Sequence, residues 1–191
     1  MVAQVIPLFK HQQESLKVMS NGKRICDFSD PGTGKTRVQI EDFAARRKKK
    51  GGCALVLASK SLLESAWKAD FHRFAPGIKV SVAYAANRAA AFAETADVYV
   101  TNHDAAKWLA SKNAAFFKRF DTLIIDESTA FKHHTSQRSR AVAKIARHFD
   151  WRRILTGTPN GNTITDVWHQ VFIVDDGKRL GTSFFKFRSA A

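Results

Sequence analysis

The sequence is poor in cysteine and in long apolar runs, and each shortage excludes a class of protein. Its two cysteines, Cys26 and Cys53, do not form a CxxC pair, so we expect buried free thiols rather than a disulfide framework. The seven histidines show no metal-ligand spacing, so we expect no zinc site. No apolar run approaches the ~18 residues of a membrane span, and residues 1–10 lack the layout of a signal peptide. We therefore expect a soluble, cytoplasmic protein without a membrane partner.

Acidic residues are also scarce. The chain has 31 Lys and Arg residues against 17 Asp and Glu, which gives a formal charge of +14 with neutral histidines. Such an excess favours a polyanionic partner, because neutralising phosphates releases their bound counterions. Charge alone does not distinguish DNA from RNA or from an anionic membrane surface, and solubility is a simpler explanation of the same excess.

Short apolar segments alternate along the chain with helical ones. The apolar segments are continuous and rich in Val, Ile and Leu, which is typical of strands covered on both faces. The predicted strands are Arg24–Phe28, Ala54–Ala58, Lys79–Ala83, Asp97–Thr101, Thr122–Asp126 and Arg153–Thr156. The predicted helices lie near residues 9–20, 35–49, 61–73, 87–93, 104–110, 136–148 and 163–173. This alternation predicts one α/β domain over residues 1–191, with a mostly parallel central sheet and helices on both faces.

A glycine-rich turn follows the first predicted strand and precedes a helix. Residues 29–36 read Ser-Asp-Pro-Gly-Thr-Gly-Lys-Thr, with Ser29 where the strict phosphate-loop consensus has glycine. The residues that we assign to the nucleotide phosphates are Pro31, Gly32, Thr33, Gly34, Lys35 and Thr36. Backbone amides at a helix N-terminus attract phosphate, Lys35 can reach the β- and γ-phosphates, and the Thr36 hydroxyl can ligate Mg²⁺. A glycine turn with a chance Gly-Lys-Thr is the alternative, and the strand–loop–helix context favours a phosphate loop.

A pair of carboxylates ends the fifth predicted strand. Asp126 and Glu127 follow three apolar residues, and at the carboxyl edge of a parallel sheet they would face the phosphate loop. Asp126 is placed to hold Mg²⁺ through water, and Glu127 can orient and activate an attacking water. Two solvated acids at a strand end are the alternative. Together with the phosphate loop, the pair predicts ATP hydrolysis with Lys35 and Glu127 as catalytic residues.

Five short motifs, taken with the phosphate loop, form a series in a fixed order along the chain. They are Leu8–Gln12, Leu55–Leu63, Tyr99–Asp104, Asp126–Thr129 and Leu155–Pro159. With the phosphate loop, this series resembles the superfamily 2 helicases and translocases, most closely the Snf-type branch. The resemblance covers most of the chain, from Leu8 to Phe187. It implies a RecA-like P-loop ATPase lobe that uses ATP and Mg²⁺.

The resemblance also assigns roles around the nucleotide. Gln12 matches the family glutamine that reads adenine, and Gln13 takes that place if the register shifts by one. The threonines and glycine of the last motif imply a link between the acidic motif and a neighbouring lobe. The residues implied in coupling hydrolysis to DNA binding are Thr129, Thr156, Gly157 and Thr158. Thr129 stands where the family commonly has histidine or aspartate, and Ser128 where it commonly has alanine, so the route of coupling is open.

Contacts with DNA are implied at several strand ends and in the stretch after the acidic motif. The residues implied are Ser59, Lys60, Thr101, Asn102, Lys132 and Arg138. Ser59 replaces the usual family proline, and a helix N-cap by Asn102 or Asp104 is an equal alternative to a DNA contact. The aromatic pair Trp67 and Phe71 shares one helix face, so we assign it to core packing.

The resemblance implies a two-lobed motor of which this chain is the first lobe. We expect residues 180–191 to begin the interlobe linker, and a second RecA-like lobe, supplied elsewhere, to provide an arginine finger. The expected partner is DNA, with the Snf-type likeness favouring duplex, and the expected state is a monomer. The alternatives are another P-loop motor, such as a viral DNA-packaging ATPase, and a nucleic-acid-binding module whose ATPase has decayed.

Overall fold

Six short strands form one fully parallel sheet in the computed structural model, which describes residues 6–191. The strands are β1 (Arg24–Asp27), β2 (Ala54–Ala58), β3 (Val80–Ala83), β4 (Val98–Asn102), β5 (Thr122–Asp126) and β6 (Trp151–Leu155). Their order across the sheet is β1-β6-β5-β2-β4-β3. Every predicted strand is present, with ends that differ by at most two residues, so the predicted parallel sheet is confirmed.

Helices follow the strands nearly as the periodicity predicts. They are α1 (Lys10–Asn21), α2 (Lys35–Lys50), α3 (Ala69–Phe74), α4 (Arg88–Ala93), α5 (Ala106–Ala110), α6 (Ala114–Phe117), α7 (Gln137–Ala146), α8 (Asp166–Asp175) and α9 (Phe184–Ala190). A π-helical segment, Leu63–Lys68, leads into α3, and single 3₁₀ turns span His103–Ala105 and Ser128–Phe131. Helices α6 and α9 were not predicted, because four and seven residues carry too little periodic signal. Residues 184–190, expected as linker, are helical.

The core lies on both faces of the sheet. Alternate residues of β2, such as Leu55 and Val56, pack into two separate apolar clusters. One cluster includes Phe43, Trp67 and Phe71. The other includes residues of α4 to α8. Both faces of each central strand are therefore covered, which confirms the predicted layers.

The two cysteines are free thiols, as expected. Cys53 is buried and Cys26 is half-buried. Burial raises the pKa of Cys53 to about 12 and that of Cys26 to about 11, so both remain protonated at neutral pH. Within residues 6–191, no helix is both long enough and apolar enough to cross a membrane.

The sheet order gathers three loops at one edge. Because all strands are parallel, the segments after β1, β5 and β6 leave the sheet on the same side. Strand β6 pairs with both β1 and β5, so the loop after β6 lies between the other two.

Candidate functional site

The glycine-rich turn after β1 has the backbone of a phosphate-binding loop. Gly32 and Gly34 both have φ near +78°, a left-handed conformation that glycine adopts without steric cost. Gly34 is the N-cap of α2, so the first amides of that helix face the loop. The Lys35 ammonium donates to the carbonyl oxygens of Ser29 and Asp30, at 2.9 Å each. The loop therefore concentrates donors and positive charge at the start of α2.

Gln12 in α1 contacts the backbone of the glycine-rich loop. Its side chain is buried, and its Nε2 donates to the Thr33 carbonyl oxygen at 3.2 Å. A Cβ atom at Gly34 would lie 2.3 Å from that same Nε2 and would displace the Gln12 amide, and the φ of +78° also favours glycine there. Gln13 instead donates to the Leu8 carbonyl at the surface. Gln12, rather than Gln13, therefore contacts the loop, and His11 Nε2 lies 3.0 Å from the same Thr33 carbonyl.

A cleft of about 510 Å³ opens beside the loop, between α1 and α3. Its lining includes Phe9, Gln12, Thr36, Arg37 and Asp70. Thr36 is in the first turn of α2, next to the lysine of the loop. The cleft therefore brings the glutamine of α1 and the hydroxyl of the loop to one cavity.

The carboxylate of Asp126 is buried and held by two donors. Its Oδ2 accepts a hydrogen bond from Trp67 Nε1 at 2.9 Å, and its Oδ1 accepts one from the Glu127 amide at 3.0 Å. Burial raises the pKa of Asp126, while these two hydrogen bonds and the nearby His103 and Lys35 oppose that rise. The net shift is upward.

The next residue, Glu127, is exposed and has a left-handed backbone with φ of 51°. Non-glycine residues rarely adopt this conformation, which is found disproportionately at functional sites. His103 Nε2 donates to the Asp126 carbonyl at 2.7 Å, and burial lowers the pKa of His103, so the neutral ring carries its proton on Nε2. This hydrogen bond from His103 stabilises the backbone at the start of the turn that presents Glu127.

The loop after β6 touches both other loops. The Thr156 hydroxyl lies 3.5 Å from Glu127 Oε2 and accepts a hydrogen bond from the Thr158 amide at 3.1 Å. A Cβ atom at Gly157 would lie 2.6 Å from Pro31 Cδ in the glycine-rich loop. The residues predicted from three distant motifs therefore meet in one place.

From the sequence, Trp67 was assigned only to core packing and Gln170 was assigned no role. Trp67 is fully buried beside Phe71, as predicted for core packing, but its indole also binds Asp126. Gln170 in α8 is fully buried and bonds to Ser128. A buried glutamine needs hydrogen-bond partners, but the sequence does not name them.

The predicted DNA contacts lie at the same sheet edge, with one error. Thr101 is fully buried, and its hydroxyl donates to the Ala83 carbonyl at 2.7 Å, so it joins neighbouring strands and is not available to DNA. Ser59 is half-buried and Lys60 is exposed just after β2. Asn102 accepts from Arg88 at 3.0 Å.

The other two cations predicted to face DNA have partners within the chain. Lys132 Nζ lies 3.0 Å from Asp166 Oδ2. Arg138 pairs with Asp104 at 3.0 Å and donates to the Ala130 carbonyl. Thr129 is half-buried, and the acidic loop is tied to its surroundings through Ser128 instead.

Comparison with known proteins identifies the family. The SNF2-related domain matches residues 11–181. The chain belongs to this family. Protein p41 of Acyrthosiphon pisum secondary endosymbiont phage 1 is 35% identical over 145 residues, covering 71% of this chain and 31% of that protein. The ATP-dependent helicase FUN30 of Saccharomyces cerevisiae is 30% identical over 167 residues, covering 80% of this chain and 14% of FUN30.

Solved structures place the SNF2-related domain in a known fold. The Sulfolobus solfataricus SWI2/SNF2 ATPase core in complex with dsDNA has a TM-score of 0.81 and 25% identity, and the match covers 97% of this chain and 39% of that one. The UvsW helicase of bacteriophage T4 shares the fold, with a TM-score of 0.66 and 12% identity over 87% of this chain and 58% of that one. The predicted RecA-like fold is confirmed. The chain spans less than a third of the length of these two curated relatives.

Proposed function

We propose that this chain is the first RecA-like lobe of a DNA-dependent ATPase that moves along duplex DNA. The proposal depends on one observation: the glycine-rich loop after β1, the acids after β5 and the threonines after β6 meet at one sheet edge. Membership of the SNF2-related family and the helicase relatives support ATP as the nucleotide. The same membership argues against a packaging motor.

Each residue at this edge has a role suited to phosphoryl transfer. The loop amides and Lys35 bind the phosphate oxygens. Thr36 and Asp126 offer hydroxyl and carboxylate oxygens, the donors that Mg²⁺ prefers, so they fit a site for this ion. Bound Mg²⁺ would neutralise charge on the phosphates. Glu127, exposed beside Thr156, orients the attacking water and accepts its proton.

DNA and a second lobe are the proposed partners. The net charge of +14 favours a phosphate backbone, and the Sulfolobus solfataricus ATPase core with the same fold is a complex with dsDNA. Lys60 is exposed at the sheet edge where the family motifs imply DNA contact. A second lobe would supply an arginine finger, which is worth roughly 10³–10⁵ in rate, so we expect slow turnover by this chain alone.

Nucleotide titration with two matched pairs of variants tests the proposal. We expect Lys35→Ala to abolish binding of a fluorescent ATP analogue with Mg²⁺, because the ammonium is the cation proposed to bind the phosphates. Lys49→Ala, exposed at the far end of α2, is the control. We expect Glu127→Gln to bind normally but not to hydrolyse ATP once a second lobe is supplied, with exposed Glu94→Gln as its control.

Two results would contradict different parts of the proposal. If the wild-type chain has no affinity for the Mg²⁺–nucleotide complex, the ATPase assignment is wrong. If the chain alone hydrolyses ATP at roughly 1–100 s⁻¹, a second lobe is not needed. Comparing rates with and without duplex DNA tests the dependence on DNA.

A further inference from the structure

A buried chain of hydrogen bonds joins the acidic loop to the loop after β6. The Ser128 hydroxyl donates to Gln170 Oε1 at 2.6 Å. Gln170 Nε2 donates to the Pro159 carbonyl at 2.6 Å and to the Asp166 carbonyl at 2.9 Å. Ser128 and Gln170 are both fully buried. The Gln170 side chain in α8 therefore bridges two loops that are far apart in sequence.

The amide of Gln170 has one orientation that satisfies its neighbours. A glutamine amide has two N–H donors and one carbonyl acceptor, and here both donors meet carbonyls while the acceptor meets a hydroxyl. Rotating the amide by 180° would set its oxygen against the carbonyls of Pro159 and Asp166. A buried network that is fully satisfied in one arrangement resists independent movement of its members.

The bridge ends beside the groups proposed to act on ATP. Ser128 follows Glu127, and Pro159 follows Thr158, whose amide binds the Thr156 hydroxyl. The first turn of α8 holds the same loop again, because Asp166 Oδ2 accepts from the Asn162 amide at 3.0 Å. The segment that follows Glu127 and the loop after β6 are thus both held by side chains of α8.

The Asp166 carboxylate also contacts Lys132, a cation that was predicted to face DNA. Lys132 pairs with Asp166 at 3.0 Å, with both side chains largely buried. Asp166 is therefore shared between the loop after β6 and the segment after the acidic motif. Gln170 and Asp166, one helical turn apart in α8, connect the nucleotide edge to the segment after the acidic motif.

We propose that Gln170 is a positioning residue that couples nucleotide binding to DNA affinity, through Ser128 on one side and Pro159 on the other. The proposal rests on the function proposed above and adds the route. Thr129, at the position usually associated with coupling, is replaced in this role by its neighbour Ser128.

The test measures thermodynamic coupling in the full chain. The dissociation constant for a duplex oligonucleotide is measured with and without a non-hydrolysable ATP analogue and Mg²⁺. Coupled sites typically change each other's affinity by about 5- to 150-fold. We expect a ratio of this size for wild type. For Gln170→Met, of similar size but without polar groups, we expect a ratio near 1 with unchanged analogue affinity.

Gln39→Met is the matched control, because Gln39 is also buried but its amide bonds only to Met19 Sδ within residues 6–191. It should keep the wild-type ratio. Ser128→Ala removes one bond of the bridge and should lower the ratio. The double variant Ser128→Ala/Gln170→Met should show no larger change than Gln170→Met alone, because both act on one route.

Each outcome decides between the two proposals. If the wild-type chain does not bind the ATP analogue, the proposed function is wrong. Binding of both ligands with a wild-type ratio of 1 overturns only the coupling role, as does a wild-type ratio that survives in Gln170→Met. If Gln170→Met does not fold, Ser128→Ala decides: an unchanged ratio in the folded variant overturns the bridge.

Discussion

At the scale of single residues, the hydrogen bond from Trp67 to Asp126 shows that a core side chain can also serve the site. The indole packs against Phe71 and at the same time donates to a carboxylate that is only 8% exposed. A buried carboxylate oxygen without a partner is costly, so the tryptophan stabilises the charged form of Asp126. The indole N–H thereby holds Oδ2 of the carboxylate that is proposed to bind Mg²⁺ through water.

Trp67→Phe tests this role. The ring and its packing remain, but the N–H donor is lost. We expect the affinity for ATP in the presence of Mg²⁺ to fall by about 10- to 100-fold, as is common when a partner of a metal-binding group is removed. Binding of ATP in EDTA should change little.

Trp108→Phe is the control, since Trp108 is half-buried among α4, α5 and α6, away from the site. Isothermal titration with each variant gives the comparison. Equal losses in Mg²⁺ and in EDTA would show that Trp67 supports the fold rather than the ion site.

At the scale of elements, the site depends on how closely two loops approach. The backbone of Gly157 lies against Pro31, so a Cβ there would overlap Pro31 Cδ at 2.6 Å and Cγ at 2.7 Å. The strand order creates this approach, because β6 lies directly beside β1. The loop after β6 is thus held at a fixed distance from the phosphate loop.

Gly157→Ala should push these loops apart. We expect unfolding free energy to fall by about 1–3 kcal/mol, the usual cost of overpacking, together with weaker Mg²⁺–ATP binding. Gly77→Ala is the control, because a Cβ at Gly77 meets no atom within 4 Å. Urea denaturation and nucleotide titration provide both values. If both alanine variants bind nucleotide as wild type does, the contact with Pro31 is not important for the site.

At the scale of the whole molecule, one buried and two half-buried histidines add to an excess of positive charge. Burial lowers the pKa of His103, His134 and His169 below the usual value of ~6.5. His169 is buried in α8, where its Nδ1 donates to the Phe131 carbonyl at 2.7 Å. Protonating such rings adds charge to a chain already at +14.

This arrangement predicts loss of stability in mild acid. Because the folded-state pKa of His169 is lowered, the unfolded chain binds more protons below ~6.5. Its contribution is complete above that value and is lost as the pH falls toward the folded-state pKa. We expect the free energy of unfolding to decrease from pH 7 to pH 5.

His169→Asn should flatten this decrease, because asparagine keeps a donor for the Phe131 carbonyl and does not titrate. Thermal unfolding across the pH range provides the measurement, with His72→Asn at an exposed position as the control. A wild-type slope that persists in His169→Asn would assign the acid sensitivity to other groups.

The sequence by itself determined the strands, the phosphate loop, the acidic pair and the family, because these follow from local periodicity and from residues adjacent in the chain. It did not determine that Thr101 points into the core, or that Gln12 rather than Gln13 meets the loop. Both depend on which face of an element is covered, and that is decided by packing.

Only the tertiary structure placed β6 between β1 and β5 and joined Trp67 to Asp126 and Ser128 to Gln170. Each of these contacts joins segments that are far apart along the chain. Hydrophobic periodicity says that a residue is buried, but hydrogen-bond partners are chosen by geometry after strands pair and helices pack. The reacting groups were therefore readable from the chain, while the contacts that hold them in register were not.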